Sequence, residues 1–229
     1  YVAQKDPEQT RTVINILNKN LKLKLETVGN LREVTIRRFC AYIFQQRLNS
    51  ILLDKKSPLL RGYIGTFNLT LNYEFYIIGA QLKENKIKEG INILFTEIER
   101  VKQNGFTSKE LEIEKEKTLL SHEQAVKTKK TRPTNSIVEE YTRNFLENEF
   151  VSGEEREYEL MKQLLPTISV NDLNNHFLNW LRYDDRILNI KYPEKIKNII
   201  SKDELLNLET KIQKNKLSQF ASLVKDQPL

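Results

Sequence analysis

The sequence predicts an α+β fold: several helices packed on one face of a mostly antiparallel sheet, followed by a C-terminal helical linker. Three observations predict it. A β-branched run alternates near the start, at Val13, Ile14, Ile16 and Leu17, and a Tyr-, Phe- and Gly-rich stretch occupies residues 59–82. A series of helix-period patterns then ends in a second alternating run at Ile187, Leu188 and Ile190. Strand, helix, strands, several helices and strand, in that order, describe helices segregated to one side of a sheet.

After the turn signal Asp6-Pro7, residues 10–25 read as a long strand. Asn30 precedes a helical pattern through Leu31, Val34, Ile36, Phe39, Cys40, Ile43, Leu48 and Ile51, wide enough to be buried over much of its surface. Residues 63–76 suit two strands joined by a tight turn or one bent strand, with Gly65 marking a bulge. Ile87, Ile91, Leu94, Ile98 and Val101 make an amphipathic helix that stops at Gly105.

Next, Thr107 and Glu110 form a capping box, with Phe106 and Leu111 as its hydrophobic staple. The same grammar recurs at Ser169 with Asp172 and at Ser201 with Glu204, and an unstapled version at Ser152 with Glu155. Helices are therefore expected over residues 107–130 and 136–147, after Ser152, and over 169–181, with Pro133 separating the first two. Residues 185–192 read as the closing strand before Pro193. The domain is expected to span 1–193, and 194–229, a polar helix and then a stretch without periodicity, reads as an arm or interdomain linker.

The net charge is +6, from 37 Lys and Arg against 31 Asp and Glu, but both signs alternate along the predicted helices. That pattern describes solvated faces rather than a nucleic-acid groove. The local basic block Lys127, Lys129, Lys130 and Arg132 reads as a loop or frayed helix end, with phosphate binding as the alternative. No apolar run approaches the ~20 residues of a membrane helix. Cys40 sits in an apolar helical run as a small buried hydrophobe, and a lone cysteine leaves an internal disulfide impossible. The chain opens at Tyr1 without a signal-like segment, as an excised piece would.

Only His122 and His176 are present, both in predicted helices. A thermolysin-type zinc helix needs His-Glu-x-x-His, but His122-Glu123 is followed by Val126 at the second histidine's position. The inverted form fails at Ala125 and Val126. Zinc held by this chain alone is not expected, because a catalytic site usually takes three protein ligands. No Gly-x-Ser-x-Gly elbow flanks a serine and no phosphate-binding glycine loop is present, so no catalytic residue is assigned.

Several ordered phrases carry a resemblance. They are Asp6-Pro7-Glu8-Gln9-Thr10, Phe44-Gln45-Gln46-Arg47-Leu48-Asn49 before Ser57-Pro58, and Glu97-Ile98-Glu99-Arg100 before Gly105-Phe106-Thr107. Glu140-Tyr141, Arg143-Asn144-Phe145-Leu146, Leu164-Leu165-Pro166-Thr167-Ile168 and residues 189–193 continue the series. In this order they resemble the second, non-catalytic domain of bacterial pitrilysin/insulinase-type zinc metallopeptidases, over roughly residues 3–194.

The resemblance implies an α/β roll of the LuxS/MPP-like metallopeptidase kind, one of four related domains forming a hinged chamber around a peptide. The zinc motif would lie in the parent chain's first domain, and the fragment would be inactive alone. The partners implied are the other domains of the same chain and a peptide substrate. A periplasmic or cell-envelope location is slightly favoured. The family's Arg and Tyr, seven apart in the last domain, have no counterpart here, since Arg47 and Tyr63 are sixteen apart. In the insulin-degrading branch a strand edge of the second domain holds the peptide's N-terminal end. The matching stretch is Leu59, Leu60, Arg61, Gly62, Tyr63, Ile64 and Gly65, which could take a peptide by strand addition or be an ordinary core strand. Two alternatives stand beside this reading: a non-enzymatic scaffold or partner subunit of the same fold, and an unrelated adaptor that binds anions through the Lys127 to Arg132 block.

Overall fold

A computed structural model describes residues 1–221. Among these residues are five strands and seven α-helices. They divide into two units, one made of residues 1–20, 44–105 and the chain from 177 onward, the other of 21–43 and 106–176.

The first unit holds the sheet. Its strands are β1 (Val2–Asp6), β2 (Thr12–Leu21), β3 (Leu59–Asn68), β4 (Tyr73–Leu82) and β5 (Arg186–Pro193), in the spatial order β1-β5-β2-β4-β3. β2 pairs antiparallel with β5, Ile14 opposite Ile190 and Ile16 opposite Leu188, while β3 and β4 form an antiparallel hairpin. β1 runs parallel to β5. The sequence gives no sign of β1, because Val-Ala-Gln-Lys-Asp has no alternation to detect, and all but its last residue are exposed.

One face of the sheet is the core of this unit. Ile14, Ile16, Tyr76, Ile78, Ala80, Leu82, Leu188 and Ile190 are all buried. They alternate with half-exposed neighbours, as expected of an antiparallel sheet with one solvated face. The helix α1 (Val28–Leu52) brings Leu48 within 3.0 Å of where a Cβ on Gly62 would sit. On α2 (Ile87–Asn104), Gly90 lies still more tightly against Leu82, 2.6 Å from where its Cβ would sit. α7 (Lys202–Lys214) packs on α2 and buries Leu205 and Ile212.

The second unit is helical. It takes the N-terminal half of α1 together with α3 (Ser108–Thr128), α4 (Thr134–Glu147), α5 (Glu154–Leu164) and most of α6 (Val170–Trp180). Phe39, Cys40, Leu111, Leu160, Met161, Leu164 and Leu173 fill its core. Burial pushes the Cys40 thiol up, far above the range in which it would ionise. α4 buries none of its residues, and it leaves Tyr141, Phe145 and Leu146 exposed.

Local sequence explains most boundaries. The Thr107 and Ser201 capping boxes form with their glutamates, and Ser169 exchanges hydrogen bonds with Asp172 in the same way. Gly105 ends α2 at a φ of 71°, a conformation glycine adopts without strain. Four expectations are corrected. β2 ends at Leu21, earlier than residue 25. α1 starts at Val28, so Asn30 lies inside the helix rather than before it, and Thr27 caps it: the Asn30 amide N–H donates to Thr27 Oγ1, and Asn30 Oδ1 accepts from the Thr27 N–H. The amide side chain thus plays the part a glutamate plays elsewhere. The Ser152 box does not form, because Gly153 at φ 77° caps α5 and starts the helix one residue later. Glu155 then reaches Lys129, and the Ser152 hydroxyl meets Glu157. Finally, Gly65 pairs regularly with Ile77, and the irregularity lies at Leu60, between Leu59 and Arg61.

Candidate functional site

Among the described residues β3 is the last strand of the sheet, with β4 on one side and no strand on the other. The expected site residues, Leu59 through Gly65, all lie on it. Leu59 and Gly62 are buried, Leu60 and Arg61 are exposed, and Tyr63, Ile64 and Gly65 are half-buried. The extra residue at Leu60 explains the two successive exposed positions, since a bulge interrupts the in-and-out alternation. A Cβ at Gly65 would meet nothing within 4 Å.

One interaction across the sheet's solvated face was not among the expected site contacts. Tyr63 lies over Gly79, its partner on β4, and its hydroxyl donates to Asn15 Oδ1 on β2. A Cβ on Gly79 would fall 2.5 Å from both the Tyr63 ring and Asn15. Gly79 is therefore required by a neighbouring side chain rather than by its own backbone. A glycine inside an apolar strand was the signal available for this close approach. Burial raises the Tyr63 pKa, opposed by Arg61, whose guanidinium lies 5.9 Å from the ring centroid. On α1, Gln45 Nε2 donates to the Gly62 carbonyl at 2.9 Å, taking up one acceptor of the strand.

In the second unit, a cleft of about 550 Å³ is lined by Leu31, Arg38, His122, Arg132, Phe150 and Glu157 among others. Burial lowers the His122 pKa, helped by Arg38, and burial beside Glu154 and Glu140 raises that of Glu157. The His122 Nδ1 to Glu157 Oε2 distance is 3.9 Å. His176, on α6, is pushed down to about 4 by burial and by Arg37. Among the described residues no three His, Cys, Asp or Glu side chains gather into a group that could hold a metal ion. In the basic block, Lys127 pairs with Glu123, Lys129 with Glu155, and Arg132 with Glu140 and Glu154. Those carboxylates offset three of the block's four positive charges. Among the described residues no helix is long and apolar enough to cross a membrane.

Residues 3–118 match the family described as the peptidase M16 inactive domain. That is just over half of the 229 residues. The chain belongs to the peptidase M16 inactive-domain family. The structural likenesses agree with this M16 assignment. The first half of the periplasmic protease PqqL from Escherichia coli superposes with a TM-score of 0.88 at 19% identity, over 96% of this chain and 47% of that one. Complete PqqL gives 0.89 at 18% identity, over 99% of this chain and 25% of that one. A predicted insulinase family protease from Yersinia pestis gives 0.77 at 11% identity, over 93% of this chain and 46% of that one. At such identities the likeness concerns the fold, and the M16 chain described here spans less than half of each of these structures. No curated protein matches the sequence.

Proposed function

We propose that this M16 domain forms part of the wall of a closed peptide chamber in a zinc-dependent metalloendopeptidase, and that β3 contributes its free edge to the peptide. The observation that carries the reading is the position of β3 at the end of the sheet, beside a solvated face, in a domain of a peptidase family whose description is inactive. Strand addition uses backbone groups and so accepts many sequences, while pockets beside alternate side chains add selectivity. Leu60, Arg61, Tyr63, Ile64 and Gly65 are the exposed or half-exposed positions an added strand would lie against. Zinc, and with it the activation of water, belongs to another domain of the parent chain, with which this domain and residues 194–229 connect. A periplasmic location is proposed by analogy with PqqL, itself a periplasmic protease.

A peptide carrying a photoactivatable benzophenone tests the edge directly. Cross-links mapped by mass spectrometry fall within residues 59–65 on this reading. Cross-links confined to β1, the opposite edge, or to the helical unit would overturn it.

A further inference from the structure

The C-terminal end of α2 grips an extended stretch of the same chain. Gln103 Nε2 donates to the Asn215 carbonyl at 3.0 Å, and Gln103 Oε1 accepts from the Leu217 N–H at 3.1 Å. One side-chain amide thus binds the acceptor and donor on either side of residue 216, the pattern in which a parallel strand binds its neighbour. Asn104 Nδ2 donates to the Leu217 carbonyl at 3.0 Å, and Arg100 donates to the Ser218 carbonyl at 2.7 Å. Further along, the Arg47 guanidinium lies 5.0 Å from the centre of the Phe220 ring.

These groups are held from behind. Glu99 Oε1 accepts from Gln103 at 2.9 Å and its Oε2 from the Tyr183 hydroxyl at 2.8 Å, which orients the amide. Glu97, 5% exposed, accepts from Arg100 at 3.1 Å. Arg47, 1% exposed, donates to the Gly105 carbonyl. The phrase Glu97-Ile98-Glu99-Arg100 and the Arg47 phrase therefore share one structural role. Nearly all the contacts address backbone atoms of residues 215–218, so the grip is indifferent to most of their side chains.

We propose that this face of α2 is a docking site for an extended peptide backbone, filled by the chain's own residues 215–220, which anchors the segment leading out of the domain. This rests on the reading of residues 194–229 as the connector to the rest of an M16 chain. Through the clamp the segment moves with α2 as far as Phe220, so that a change in the domain's orientation is passed to the connector from that point.

The test uses residues 1–229 and needs neither the parent chain nor its activity. Its failure is therefore distinct from failure of the peptidase reading. In the wild type the Leu217 amide exchanges with solvent slowly, and trypsin cuts poorly after Lys216. The double variant Gln103→Ala/Asn104→Ala alters two exposed positions at the end of a helix. It speeds Leu217 exchange and cleavage after Lys216 by about tenfold or more, because local opening no longer breaks those bonds. Amides in β2 and β4 keep their rates and report that the fold is intact. A Leu217 amide that exchanges at the rate of an unstructured peptide in the wild type would overturn the proposal, as would rates unchanged in the double variant.

Discussion

His176 gives this chain a specific sensitivity to acid. Burial and Arg37 hold its imidazole pKa at about 4, against 6.5 for an ordinary histidine. The unfolded chain takes up the proton as pH falls through 6.5, and the folded chain takes it up only near 4. Stability is lost over that window, because the unfolded state binds the extra proton. The gap is worth about 3 kcal/mol once both states are protonated. Between about pH 7 and about pH 4.5 the loss from this group alone is about 2–2.5 kcal/mol. Urea unfolding at the two pH values, for the wild type and for His176→Gln, measures it as a difference of differences. Packing changes common to both pH values cancel, and the contributions of Asp172, Glu204 and other titrating groups are shared by the two proteins. His176→Gln is expected to lose about 2 kcal/mol less than the wild type on acidification. Equal losses in the two proteins, or an imidazole titrating near 6.5 by NMR, would refute the reasoning.

Two further predictions concern the sheet unit. Gly79→Ala places a methyl group against the Tyr63 ring and Asn15, and is expected to cost about 1–3 kcal/mol. In a Tyr63→Ala background the same substitution costs measurably less, and an unchanged cost in thermal or urea melts would show that Tyr63 is not the obstacle. Lys102, brought down to about 8 chiefly by burial, donates to the Leu181 carbonyl and lies over the Tyr183 ring. Between about 8 and 10.5 its folded form has lost a proton that the unfolded chain keeps, so its contribution to stability rises with pH. Tyr183, raised by burial and by donating to Glu99, acts in the opposite sense once free tyrosine ionises. Lys102→Met abolishes the rise between about pH 7.5 and about pH 9.5 in denaturant titrations, and a persisting rise would contradict the assignment.

The readable and unreadable parts of the fold differ in physical kind. Helix starts written in side chains were legible: Thr107, Ser169 and Ser201 each cap where their boxes predict. The hairpin carried its own signal in aromatic and β-branched residues, although the bulge at Leu60 has no glycine to mark it. β1 was silent because its contribution is the backbone it offers to β5. The start of α5 was misread because the conformation of Gly153 outweighed a serine in the right place. At the candidate site, the strand could be read from its residues, but its position at the sheet edge depends on long-range pairing. The division into two units, split within α1 and within α6, likewise follows contacts between residues far apart in sequence. Residues 222–229 of the expected linker lie outside the described residues.

The central claim is that this M16 domain lines a peptide chamber without doing the chemistry. Incubating purified 1–229 with a mixture of unstructured peptides and zinc, with and without a chelator, tests it most directly. The account predicts no cleavage in either case and no stoichiometric zinc on the protein by elemental analysis. Peptide cleavage that tracks this chain through purification and stops on chelation would contradict it.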